Sequence, residues 1–237
     1  MGISEWLLAT LVVILGAGVQ GISGVGGGFI MVPLLAMIDL RLLPGSLIFA
    51  SLSISGLMAW FEHSHIKFRD TNIVLIAIAP GAALGAWLLS IVTTDQLGLL
   101  FGAMILIGVL ITALGVRLQP NILNGTIAGC AAGAMGAASG IGAPIVALLY
   151  QHRSGPELRA TLAYLYTVAS TLILLALAFF GEFGLEEIRL GVLLMPGFMI
   201  GLFLSRRLTT RVDHGGTRAV VLVVATISAL SLIVSNL

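Results

Sequence analysis

Charge is what this chain has least of. Only 9% of its 237 residues are Asp, Glu, Lys or Arg, against about 25% in soluble domains. No hydrophilic stretch is long enough to form a soluble domain. Lys and Arg number 11 and Asp and Glu 10, a net charge of +1, so the composition makes no electrostatic case for nucleic acid. One cysteine, Cys130, excludes an intrachain disulfide. No Asp or Glu falls near the middle of an apolar run, which weakens a cation-transport reading. The first residues, MGISEW, put no positive charge ahead of the apolar segment, which argues against a cleaved signal peptide. Neither a nucleophile–base pair nor a metal-ligand set stands out, so no enzyme activity, cofactor or metal is expected. Glu62, His63 and His65 read as a solvated loop at a membrane edge, beside Lys67 and Arg69, with no further ligands near.

Apolar runs dominate instead. Hydrophobic residues make up 59% of the chain and the mean hydropathy is +1.14. Stretches of membrane-spanning length recur throughout, which predicts an all-α, polytopic integral membrane protein. Eight hydrophobic elements are expected: Trp6–Ile38, Leu43–Phe61, Thr71–Val92, Leu97–Val116, Asn121–Tyr150, Leu158–Phe180, Ile188–Leu204 and Arg218–Val234. Trp6, Trp60 and Trp87 read as interface anchors or packing residues.

The first and fifth elements are interrupted in the same way. Residues Gly21–Leu35 read GISGVGGGFIMVPLL, and Ala137–Leu149 read AASGIGAPIVALL. Ser23-Gly24-Val25-Gly26 lies over Ser139-Gly140-Ile141-Gly142 at an offset of 116 residues. At that offset Pro80-Gly81 and Gly85 match Pro196-Gly197 and Gly201, and Thr93-Thr94 match Thr209-Thr210. The chain therefore reads as one membrane domain with homologous halves at 1–117 and 118–237. Paired helix breaks in a duplicated membrane protein point to a secondary transporter and to its binding site.

Elements one and five each span about 30 residues, more than the 17–25 that one crossing needs. If all eight elements cross, Lys and Arg divide seven to four between the two sides. If one and five re-enter, only Arg41 and Arg189 of the 11 fall outside. The second arrangement gives the sharper positive-inside bias, and it predicts inverted repeats with both termini outside.

A broken helix leaves N–H groups unpaired at its new start, and that end carries a partial positive charge. An anion satisfies both. The candidate binding residues are Gln20, Ser23, Gly24, Gly26, Gly27 and Gly28 at the first break, and Ser139, Gly140, Gly142, Ala143 and Pro144 at the second. Pro144 suits a first helical turn, where its missing N–H costs nothing. Element two adds Ser51 and Ser55, with Ser53 beside them. Element six carries Tyr164, Tyr166, Thr167, Ser170 and Thr171, of which Tyr164, Thr167 and Thr171 are taken as substrate contacts. Close glycine packing between helices and interhelical hydrogen bonding are the competing explanations. The run Gly24-x-Gly26-Gly27-Gly28 lacks the βαβ setting and acidic residue of a dinucleotide site.

On Ser23–Leu35 (SGVGGGFIMVPLL), Ser139–Leu149 (SGIGAPIVALL) and the two-half layout, the chain resembles the sulfite exporter TauE/SafE family over essentially its whole length. The resemblance implies a small bacterial inner-membrane permease that moves sulfite, sulfonates or related organic anions, often outward. Ala143 departs from the glycine the family often has there. The expected partners are a small anionic substrate and the lipid bilayer, with no nucleic acid; a homo-oligomer is allowed. An anion-selective channel and a non-transporting membrane scaffold are the alternatives.

Overall fold

The computed structural model describes residues 2–23, 26–66, 68, 71–115, 118–119, 121–151, 155–208 and 214–234. These residues are helical, with no strand among them. Ten helices follow one another: α1 (Ile3–Ser23), α2 (Gly27–Ile38), α3 (Gly45–Phe61), α4 (Asn72–Ile91), α5 (Thr94–Ala113), α6 (Ile122–Ser139), α7 (Ala143–Tyr150), α8 (Gly155–Phe179), α9 (Leu185–Leu208) and α10 (His214–Val234). Each expected apolar element contains one helix, except the first and fifth, which contain two. Five stretches are long and apolar enough to cross a membrane: Ile3–Ile22, Asn72–Ile91, Gln96–Ala113, Glu157–Phe179 and Leu185–Ser205. The protein is a polytopic helical membrane protein.

Local chemistry sets several helix ends. Asn121 caps α6 by accepting from the Asn124 backbone N–H at 2.8 Å. Thr93 and Gln96 form a capping box at the start of α5, which satisfies two otherwise orphaned donors. At the two breaks the devices are glycines: Gly26 has φ 98° before α2, and Gly140 has φ 82° after α6. Only glycine adopts that left-handed backbone without strain.

The breaks do more than interrupt a helix; they reverse the chain. In a continuous helix, residues 16 and 27 would be about 16 Å apart. Here a Cβ placed on Gly16 would sit 3.1 Å from the Gly27 carbonyl and against the Met31 side chain. Both ends of this hairpin lie at the same end of the bundle. Trp6 Nε1 donates to the Leu193 carbonyl on α9 at 3.0 Å, and Arg41, just past α2, meets Glu186 in the first turn of α9 at 3.5 Å. The second break behaves alike. A Cβ on Gly142 would collide with the carbonyl of Ala132, ten residues back. Gly125, early in α6, packs on Ile73 at the start of α4. Beyond α7, Arg159 reaches Glu62 at the end of α3, and Tyr164 stacks edge-on against Phe68 just before α4.

The first hairpin therefore opens at the end where α3 begins, and the second where α3 ends. The two point in opposite directions. Their arms are unequal: α1 has 21 residues and α2 12, α6 has 18 and α7 8. Each short arm begins beside the middle of its long arm, roughly seven residues, or about 10 Å, short of its tip. That places the first turns of α2 and α7 deep in the bundle.

Helix packing follows the 116-residue offset. α1 runs along α9, and α6 along α4; α3 touches α9, and α8 touches α4. Small residues bring these backbones together. Added Cβ atoms on Gly81 and Gly85 of α4 would strike the backbones of Cys130 and Ala134 on α6. On α9, a Cβ on Gly197 would meet the Thr10 carbonyl at 3.0 Å and one on Gly201 the Ile14 carbonyl at 2.6 Å. The matched Pro-Gly-x-x-x-Gly segments are thus helix-contact surfaces.

Candidate functional site

The two reversals meet. A Cβ on Gly28 would lie 3.8 Å from the Gly140 carbonyl and 3.9 Å from Ile141. Beside this contact is a cavity of about 90 Å³ bounded by α3 and α8, room for a few waters or one small polyatomic ion. Its polar lining comes from Gln20, Ser51, Ser55, Tyr166 and Ser170, and from the backbone of Gly28, Gly140, Gly142 and Ala143. Met31, Leu47, Ile48, Ile78, Val146 and Ile173 supply apolar wall, and no charged side chain lines it.

Of the residues singled out from sequence, the structure brings Gln20, Gly28, Ser51, Ser55, Gly140, Gly142 and Ala143 to this cavity. The glycines divide their labour. Gly27 packs too closely on the Gly16 carbonyl and Gln20 to hold a Cβ, and Gly142 likewise on α6. Gly28 has open space instead. Gly26 serves the turn through its positive φ. Ser139 is fully buried and donates to the Met135 carbonyl at 2.8 Å, and Pro144 is buried in the first turn of α7. The Ser23 side chain and Gly24 lie outside the described residues.

Element six meets the cavity through residues other than Tyr164, Thr167 and Thr171. Tyr164 packs on Phe68 outside the cavity. Thr167 and Thr171 donate to their own helix at the Ala163 and Thr167 carbonyls, and neither lines the cavity. The lining face is Tyr166, Ala169, Ser170 and Ile173, a stripe with the i, i+3, i+4, i+7 spacing of one helix side. The 116-residue offset sets Ser51 over Thr167 and Ser55 over Thr171, but in space Ser51 and Ser55 face Tyr166 and Ser170 across the cavity.

Electrostatics at the site come from helix ends alone. The starts of α2 and α7 have no side-chain cap. At α2, Phe29 N–H is bonded to the Gly26 carbonyl at 3.2 Å, and the Gly27 and Gly28 N–H groups, among the orphan donors of a helix start, have no partner among the described residues. The opposing end of α6 is capped: Gly140 N–H donates to the Gly136 carbonyl at 2.8 Å. The starts of α2 and α7 reach the cavity at Gly28, Gly142 and Ala143, so positive dipole ends adjoin it with no carboxylate among the described lining residues. Tyr166 Oη donates to the Ala143 carbonyl at 3.2 Å and ties α8 to the first residue of α7.

The family comparison agrees with these features. The profile of the family described as Sulfite exporter TauE/SafE matches residues 8–232. The chain belongs to the sulfite exporter TauE/SafE family. No curated protein and no solved structure matches it. The matched residues include both TauE/SafE chain reversals and the residues that line the cavity.

Two ion pairs join the outer ends of the hairpin system. Glu62 at the end of α3 pairs with Arg159 on α8 at 3.4 Å, both side chains one-quarter exposed. The second carboxylate oxygen of Glu62 is buried without a partner among the described residues. At the other end, Arg41 bridges Asp39 at 2.8 Å and Glu186 at 3.5 Å. Burial alone would raise the Asp39 pKa, but hydrogen bonds from the Arg41 side chain and backbone, with its charge, hold it below the usual carboxylate value. Exposed pairs of this kind add little stability.

Proposed function

We propose that this TauE/SafE protein is a secondary transporter that exports a small anion such as sulfite, a sulfonate or a related organosulfur compound across a bacterial inner membrane. The observation that carries this reading is the convergence of two oppositely directed re-entrant hairpins on one cavity, with uncapped first turns of α2 and α7 at its wall. The two halves, 1–117 and 118–237, act as inverted repeats. Rocking one against the other would open the cavity to each side in turn, and the Glu62–Arg159 and Arg41–Glu186 pairs, each joining the halves, would break alternately. Among the described residues, Arg41 and Arg189 lie toward the end where α1 and α3 begin, and Arg159, Arg206 and Arg207 lie toward the other. By the positive-inside rule the end where α1 begins faces outward, with both termini. An anion leaving a negative-inside cell gains about 2.3 kcal/mol per charge at 100 mV, so export needs no proton-carrying side chain.

A ligand screen tests binding directly. The purified protein is heated with sulfite, thiosulfate, sulfoacetate or taurine. At a hundredfold excess over Kd a ligand stabilises the fold by about 2.7 kcal/mol. At least one of the four is expected to raise the unfolding temperature; a scaffold would respond to none.

A further inference from the structure

We infer that Gln20 and Ser170 are the specificity-determining side chains of the cavity, and that Ser51, Ser55 and Tyr166 are wall residues that hold its shape. This rests on the transport reading above and goes beyond it by assigning selection to two residues on opposite walls.

The reason lies in where each polar hydrogen is already spent. Ser51 donates to the Ile48 carbonyl at 2.9 Å, and Ser55 to the Ser51 carbonyl at 3.1 Å. Tyr166 donates to the Ala143 carbonyl. Each of these hydroxyls must break an existing bond before it can donate to an anion, which removes most of the gain. Gln20 and Ser170 differ. Both line the cavity, and neither the Gln20 carboxamide nor the Ser170 hydroxyl makes a hydrogen bond among the described residues. Both retain solvent access, as neither is among the buried unpartnered groups. They are the side-chain donors free to meet a ligand oxygen at no internal cost.

Their placement fixes an orientation as well. Gln20 lies against the start of α2: a Cβ on Gly27 would be 2.8 Å from its Oε1. The Gln20 carboxamide therefore sits beside the start of α2. The residue 116 positions on is Gly136, which also lines the cavity and has no side chain to offer; Ile173 fills the space beside it. Ser170 stands on α8, on the other side. The first hairpin thus presents a carboxamide where the second presents a bare backbone. An anion with three oxygens would turn two toward Gln20 and the α2 start and one toward Ser170. A neutral donor set of this kind accepts oxyanions without a fixed counter-charge, so selection rests on hydrogen-bond geometry and not on net charge.

The test is transport kinetics in proteoliposomes with labelled sulfite and with 2-hydroxyethanesulfonate. Gln20→Ala and Ser170→Ala are each expected to raise KM for sulfite about tenfold, the size of one hydrogen bond to a charged partner, with kcat within about twofold. The two variants should change the sulfite to 2-hydroxyethanesulfonate preference unequally. Ser170→Thr, which keeps the hydroxyl, should restore KM, and Gln20→Glu, which adds negative charge, should be worse than Gln20→Ala. Ser51→Ala and Ser55→Ala, whose hydroxyls are already bonded within α3, should raise KM less than either Gln20→Ala or Ser170→Ala. Unchanged KM in Gln20→Ala and Ser170→Ala, or equal losses in Ser51→Ala and Ser55→Ala, would overturn the assignment while leaving transport intact. If wild-type protein moves neither probe, the transport reading itself falls.

Discussion

Gly28→Leu is expected to abolish transport and leave the protein folded, whereas Gly28→Ala is expected to stay within about threefold of wild type. The contrast follows from space. A methyl group at Gly28 meets the Gly140 carbonyl at 3.8 Å and Ile141 at 3.9 Å, ordinary van der Waals contact. An isobutyl group must enter the cavity, which holds about 90 Å³, and would occupy the volume meant for substrate. Anion uptake is expected to fall below about a tenth of wild type for leucine, since a filled pocket cannot bind, and to stay within about threefold for alanine. Size-exclusion profiles of the two should match wild type. Gly27 would not give this gradation, because even a methyl group there strikes the Gly16 carbonyl and Gln20. Equal transport by the leucine variant and wild type would remove the cavity from the transport path.

Alanine at both Gly81 and Gly85 is expected to be strongly destabilising. Each new methyl meets main chain, the carbonyls of Cys130 and Ala134 on α6, and main chain cannot swing aside as a side chain does. Overpacking of this kind costs about 1–3 kcal/mol per site, so the double variant should lose about 3 kcal/mol or more, much of a typical fold's margin. Gly56→Ala on α3 is the internal control. Nothing lies within 4 Å of its Cβ position, so the change should be neutral or stabilise by up to about 1 kcal/mol through helix propensity. Thermal unfolding monitored by size exclusion reads both. A double variant that melts with wild type would mean α4 and α6 are not held by this contact.

The helices and their breaks are visible in the sequence because each has a local cause. Apolar length marks the spans, and glycine clusters at 24–28 and 140–142 mark places where a helix cannot continue. Reversal of the chain at those breaks has no local signature. The excess length of elements one and five and the uneven division of Lys and Arg hint at it, and the direct sign is nonlocal: Gly16 against Gly27, and Arg41 against Glu186. The lining face of α8 was hidden for a related reason. Its hydroxyl residues were all in view, but Tyr164, Thr167 and Thr171 lie on the wrong sides of the helix. The apolar background gives no period that separates the lining face of α8 from its other faces. Glycine identity also conceals purpose. Gly81, Gly85, Gly197 and Gly201 seat helices, Gly26 and Gly140 turn the chain, and Gly28 opens the cavity; only the neighbours tell these apart.

The central claim is alternating access of an anion through the site where the two hairpins meet. Counterflow tests it most directly. Proteoliposomes are preloaded with unlabelled sulfite and diluted into labelled sulfite, with the membrane potential clamped. A carrier exchanges one anion for another, so the label should accumulate transiently above its equilibrium level, saturate with concentration, and fail to accumulate in Gly28→Leu. Label that only equilibrates, unaffected by internal sulfite and by Gly28→Leu, would contradict the account and point to a channel or to no transport at all.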